Sequence, residues 1–391
     1  MTSLDVTLTY TDNSQITITS ESAALDNSDF SGIGNTTNQD RTQIKTIVMN
    51  NGITSITNDA VFAYLPNLTS VTLSTSLHTI GNVCFLGCSS LPSITIPSSV
   101  TTIGSSVFED CTTLGSITLP SSVQSVGEAC FQGCSILSSI SLSYNVSFYT
   151  IQSSTFRNCT SLTSITLPYR FHYINAYAFM GCTALTTVSY AALGTPTVTS
   201  SQIRYLKESC FKDCTSLSSF PFPSLITSVS DSCFENCTSL SSVTLSTQVS
   251  FKILPENCFK NCSSLTSISI GNNINTIEQS CFEDCTTLSS VTLPSSNSSF
   301  TSLPINCFKS CSQLSTISIP ETVTSFGNSA FNACGLTSIS FPSYITAVGT
   351  NCFQGCSSLS TVTIKNSSTL TVMQSSAFSG LTQSITISFL N

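Results

Sequence analysis

The stretch CFEDCTTL, from Cys281 to Leu288, decides the reading of this chain because it keeps returning: CFLGCSSL from Cys84, CFQGCSIL from Cys130, CFKDCTSL from Cys210, CFENCTSL from Cys233. Aligned on its phenylalanine, the motif falls at Phe62, Phe85, Phe108, Phe131, Phe156, Phe179, Phe211, Phe234, Phe259, Phe282, Phe308, Phe331, Phe353 and Phe378, mostly 23 residues apart, with excursions to 22, 25, 26 and 32. Fourteen copies on one metre point to a solenoid of stacked coils, none able to bury its apolar face alone.

One unit, LPSITIPSSVTTIGSSVFEDC from Leu91 to Cys111, shows how a coil is expected to be built. Leu91, Ile94 and Ile96 alternate as in a strand and point inward, while Ser93 and Thr95 point out. Pro97 ends ladder pairing, Val100 and Ile103 turn inward again, and Gly104 permits a reversal. Ser105 then reads as the cap of a short helical turn carrying Val107, Phe108 and Cys111 on one face. Residues 5–19, DVTLTYTDNSQITIT, read as a hairpin capping the first coil, residues 20–43 as a polar loop, and the first coil begins near Ile44. The expected organisation is therefore an N-terminal cap, 1–43, and a solenoid, 44–391.

The twenty cysteines form eight C-x-x-x-C pairs and four singles. Before the phenylalanine, Cys interchanges with Ala178, Ala330, Ala377, Val61, Val107 and Thr155, as a small buried side chain does and a metal ligand does not. The second position is Cys in twelve coils, with Pro66 and Leu381 in the first and last. Zinc needs four converging ligands, and the chain has only His78 and His172 besides its thiols. Packing is the favoured reading, disulfides between neighbouring coils are the competing one, and no metal or cofactor is expected.

Eleven basic against nineteen acidic residues give a net charge of -8, which argues against a nucleic-acid groove. Charged residues are only 8% of the chain, so hydroxyls must do the wetting. No run of 18 apolar residues occurs, so no membrane insertion is expected, and the N-terminus carries no export signal. The chain stops at SITISFLN, inside a strand pattern, which leaves room for a longer parent with an anchor beyond Asn391. No nucleophile elbow, phosphate loop or dinucleotide fingerprint appears, and no catalytic residue is assigned. Acidic pairs such as Glu109 with Asp110 and Glu283 with Asp284 read as a solvated surface, and the eight glycosylation sequons are what a Ser/Thr-rich chain produces by chance.

The ITIPSSVTTIG segment and the AFxxC segment, as in SAFNACGL at Ser329 to Leu336, resemble the BspA-like leucine-rich repeats of bacterial surface proteins and of families expanded in parasitic protists, over roughly residues 44–390. The resemblance implies a right-handed α/β solenoid, a horseshoe or superhelix with a parallel β-sheet and short helical turns. For some relatives it implies adhesion to host cells or matrix at a cell surface. The chain departs from the pattern in placing Cys where relatives mostly have Ala and in lacking a secretion signal.

Two exposed features bear on function. The outward strand positions carry a hydroxyl residue at 27 of 28 places, Pro221 being the exception. This sheet is either inert or a repetitive surface for a repetitive ligand, a glycan before an ice lattice, since horseshoe curvature counts against ice. Seven of the ten tyrosines lie between Tyr144 and Tyr205. Threading these coils on the repeat places Tyr149, His172, Tyr173, Arg204 and Tyr205 in one exposed patch, with Tyr169, Arg170 and Tyr177 close by and a loop from Ala191 overhanging it. Aromatic and arginine side chains are what protein and sugar interfaces favour. Two functions follow: a non-catalytic recognition module with a protein or glycan partner, such as a host or matrix component, or an intracellular scaffold, which free thiols and the missing signal favour.

Overall fold

The computed structural model describes residues 4–20, 22–26, 29, 40–57, 60–143, 147–191, 202–365 and 369–389. The chain divides into two compact units, Met1–Ser201 and Gln202–Asn391. Each is a parallel β-solenoid. Six of the motif phenylalanines fall in the first unit and eight in the second.

The first unit opens on a hairpin. Strand Leu4–Tyr10 pairs antiparallel with Gln15–Ser20 around Asn13, whose φ of 67° sits at the tip. Its other edge pairs antiparallel with Ile44–Met49, which pairs parallel with Ser70–Thr72, giving one mixed sheet. Beside it, Ala24–Leu25 pairs parallel with Ser55–Ile56, so part of the segment expected as loop extends the solenoid by a rung.

Most coils contribute two short strands rather than one. The outward hydroxyl pairs lie on the first, as in Ser116–Thr118 paired in register with Ser139–Ser141, and Ser267–Ser269 with Ser290–Thr292. Leu91 to Ile96 and Leu314 to Ile319 have the same spacing but are not strands; in the first, Pro92 has no N–H for the bond that neighbouring coils make one residue after the leucine, as Gly115 N–H does to Pro92 O at 3.1 Å. The second strand was not legible as one. Thr79–Ile80, Thr102–Ile103 and Ser125–Val126 stack in parallel register where two inward residues before a reversal were expected. Gly104 is needed there for space rather than for conformation, since a Cβ would lie 2.7 Å from the Asn82 nitrogen.

The expected helical turn is absent, and Ser105 caps no helix. Among the described residues the only helical segment is the 3-10 turn Arg41–Gln43. The phenylalanine instead sits between two left-handed residues, Val83 (φ 49°) and Gly87 (φ 69°) around Phe85, and Ser280 (φ 55°) and Asp284 (φ 61°) around Phe282. Alternate amides then face along the stack. Val83, Phe85 and Gly87 donate to the carbonyls of Ser105, Val107 and Glu109 in the next coil at 2.8, 2.9 and 2.8 Å, while Leu86 and Cys88 bond back to Val83 and Phe85 at 3.3 and 3.2 Å. A helix would spend all these amides within one coil and leave this side of the rungs unjoined.

Inside each unit the phenylalanines form a column. Ring centroids are 5.6, 5.8, 5.6, 5.6 and 5.2 Å apart from Phe62 to Phe179. From Phe211 to Phe378 they run 5.6, 5.6, 5.7, 5.6, 5.7, 5.5 and 5.0 Å. Burying each ring contributes roughly 1.5–3 kcal/mol, so the column is a main source of stability.

All twenty cysteines are buried and unbridged. Packing, the favoured reading, accounts for the position before the phenylalanine but not for the second. There the thiol is a donor: Cys88, Cys111 and Cys134 give Sγ–H to the carbonyls of Phe62, Phe85 and Phe108 in the preceding coil at 3.2, 3.2 and 3.0 Å. In the second unit Cys237, Cys262, Cys285, Cys311, Cys334 and Cys356 do the same at 2.9–3.3 Å. From Phe85 onward each such carbonyl also takes an amide of its own coil, as Phe85 O takes Cys88 N–H at 3.2 Å, so both lone pairs are used. Burial pushes the Cys88, Cys130 and Cys182 thiols up to about 12, so they stay protonated and able to donate.

Phe259→Ala should lower unfolding free energy by roughly 3–5 kcal/mol in urea denaturation, since neighbours on both sides hold the cavity open. Cys262→Ala, which removes the thiol donor from the Phe234 carbonyl, should cost about 1–2 kcal/mol, and Cys258→Ala under about 1 kcal/mol, because alanine already fills that column elsewhere.

Candidate functional site

The second strand carries the aromatic side chains singled out in the sequence. In the first unit, pairing of Thr150–Ile151 with Tyr173–Ile174 sets Thr150 opposite Tyr173 and turns Ile151 and Ile174 into the core. The preceding residues, Tyr149 and His172, stack with ring centroids 6.2 Å apart and an interplanar angle of 16°. Phe148 and Phe171 beneath them are buried edge to face at 5.0 Å, so the backbone under the stack is fixed from inside. Tyr149 is 47% exposed and Tyr173 39%. Beside Tyr149 a cleft of about 240 Å³ is walled by Gln124, Ser125, Ser147, Thr150 and Gln152. The arrangement offers ring faces for stacking and amide and hydroxyl groups for hydrogen bonds.

The other candidates fall elsewhere on the coil or in the second unit. Arg170 lies over the Tyr169 ring at 5.1 Å and donates its Nε–H to the Tyr169 hydroxyl, at the corner turn closed by Phe171 N–H to Pro168 O. Tyr177 belongs to the turn segment: its φ is 60° and the Arg157 guanidinium lies 5.9 Å from its ring. Arg204 and Tyr205 begin the second unit, where Tyr205 pairs with Ser228 and Lys207 lies 5.4 Å from the Tyr205 ring. The loop expected to overhang the patch, 192–201, lies outside the described residues.

The acidic residues after the phenylalanine are not simply a solvated surface. Glu283 is buried and takes Lys260 at 3.1 Å and Lys309 at 2.8 Å from the coils on either side, and Lys212 pairs with Glu235 at 2.8 Å. Burial alone would raise the Glu283 carboxyl. Hydrogen bonds from Lys309, Ser280 and Lys260 outweigh it and hold the group below its ordinary value. The next position holds the second left-handed residue, which is why it is so often Gly, Asn or Asp. Two of its asparagines are joined along the stack, Asn236 Nδ2 to Asp213 Oδ1 and Asn261 Nδ2 to Asn236 Oδ1, both at 2.7 Å, so sequons at Asn236 and Asn261 mark structural side chains.

A second concave feature was missed. In the second unit a cleft of about 520 Å³ opens on the first-strand face, lined by Ser219, Pro221, Phe222, Ser242, Thr244 and Thr247 among others. Its sequence signal was the break at Pro221 in the hydroxyl rows.

With this geometry in place, the BspA type leucine rich repeat region family matches the chain at residues 11–91, 55–186, 194–303 and 297–391. The chain belongs to the BspA-type leucine-rich-repeat family. No curated protein is detectably similar in sequence. Among solved structures, a leucine-rich repeat protein from Bacteroides ovatus is similar at 24% identity over 89% of this chain and 95% of that one, with a TM-score of 0.68. One from Eubacterium ventriosum is 24% identical over 78% and 87%, with a TM-score of 0.53. A leucine rich cell surface protein from Faecalibacterium prausnitzii is 19% identical over 98% and 92%, with a TM-score of 0.45. The likeness to the first two is one of fold, a leucine-rich-repeat solenoid.

Proposed function

We infer that this BspA-type protein is a non-catalytic recognition module that binds a protein or glycan partner at a cell surface through the aromatic face of its second strands. The observation that carries the reading is the Tyr149–His172 stack, with exposed Tyr173 beside it and a cleft at its edge, on a molecule whose first strands present almost only Ser and Thr. Aromatic rings held by a rigid backbone lose little entropy on binding. The thiols, the strongest nucleophiles in the chain, are buried, and burial keeps those of Cys88 and Cys130 protonated, which suits recognition rather than catalysis. Placement at a surface rests on the family resemblance.

The second reading, an intracellular scaffold, is supported by the same ladder of unbridged thiols. Fractionation of the native cell separates the two, surface exposure supporting the first and a cytosolic assembly the second.

Binding of purified protein to arrays of glycans and extracellular-matrix proteins tests the site. Tyr149→Ala and Tyr173→Ala should each weaken capture by at least about 1 kcal/mol while the melting curve is kept. Unchanged capture by the double variant would remove the patch from the account.

A further inference from the structure

Two neighbouring rows of hydroxyls behave differently in the second unit. One row is consumed by the fold: Ser241, Ser289 and Ser360 donate their side-chain O–H to backbone carbonyls of the preceding coil at 3.2, 3.3 and 3.2 Å. The adjoining outward row differs at one place in the second unit. Among the described residues the side chains of Ser219, Ser242, Thr244 and Thr247 make no hydrogen bond, and all four are exposed. They line the cleft of about 520 Å³, within the ~300–1,000 Å³ range of small-molecule sites.

Three properties of this cleft select a ligand. No charged residue is among its lining side chains, so an ionic ligand would lose hydration without gaining a counter-charge. Its hydroxyls lie on consecutive rungs, Ser219 opposite Ser242 in parallel register, so donors and acceptors repeat at the strand spacing of about 4.8 Å. One wall is apolar and aromatic: Phe222, half-buried, is braced edge to face by Phe220 at 5.2 Å and tilted against Phe234 at 5.6 Å. A flat aromatic side chain beside a row of unpaired hydroxyls matches a sugar ring, apolar on its C–H face and polar around its rim. In the first unit a cleft of about 380 Å³ on the same strand face is lined by Ser93, Thr95, Ser116 and Thr118, again without a charged side chain.

We propose that the Ser219–Thr247 cleft is a binding subsite for a neutral oligosaccharide, an extended polyhydroxylated chain lying across consecutive rungs with one ring against Phe222. The proposal rests on the recognition reading but not on the Tyr149–Tyr173 patch, which lies on the other strand face.

Isothermal titration with cellohexaose as the neutral probe and an oligogalacturonide as its anionic counterpart tests this. Cellohexaose should bind, and the oligogalacturonide should bind at least about tenfold more weakly. Thr244→Lys, which puts a long charged side chain into the cleft from an exposed position, should weaken cellohexaose by at least about tenfold. Tyr173→Ala should leave it unchanged. Phe222→Ala should weaken it too, with a melting curve to show whether the fold is kept. Binding lost in Tyr173→Ala and kept in Thr244→Lys would overturn the proposal while leaving the recognition reading intact. Failure of the wild-type protein to bind cellohexaose, or equal binding of the anionic probe, would overturn it outright.

Discussion

Each coil leaves half of its turn amides pointing out of its own plane, and only the next coil can take them. Phe108 N–H reaches Cys130 O at 2.8 Å, and Phe282 N–H reaches Cys307 O at 3.0 Å. These groups are buried, so each would cost about 1–3 kcal/mol if left unpaired. Coil spacing follows from this bond. The phenylalanine rings stack, and the second cysteines reach back to a carbonyl, because backbone bonds hold successive rungs in register.

The same constraint sets what the surface can offer. A side chain repeated at one position of every coil becomes a row. Where the row is Ser or Thr, it is uniform and wettable without charge. Where it is Lys, Glu, Lys, Glu, Lys, as at positions 212, 235, 260, 283 and 309, the sequence alternates sign, and Glu283 is pinned between two lysines. Variation then stands out against a repetitive ground, which is why Tyr149 with His172 and Pro221 with Phe222 draw a functional reading.

Much of the fold was legible because its metre is long and its inward residues are chemically plain: Leu91, Ile94, Ile96, Val100, Ile103, Val107, Phe108 and Cys111 are all buried. The turn was misread as helix because Val107, Phe108 and Cys111 fall on one face in either conformation. The sign against helix was present in the residues two past the phenylalanine, Gly87, Asp110, Gly133, Asn158, Asp213 and Asp284, all types that tolerate left-handed φ. The second cysteine was read as filler, although its retention in twelve coils against eight for the first hinted at a donor that Ala and Val cannot replace. Of the candidate site, the Tyr149–His172 pair follows from threading. The cleft at Phe222 does not, because a concavity depends on how neighbouring coils lean.

The central claim, that every thiol is reduced and buried, is tested most directly by titrating the protein with a coloured thiol reagent without prior reduction. The account predicts that the folded protein reacts only as fast as it unfolds, and that in denaturant all twenty cysteines react. Rapid labelling of the folded protein, or fewer than twenty reactive thiols after unfolding, would contradict it.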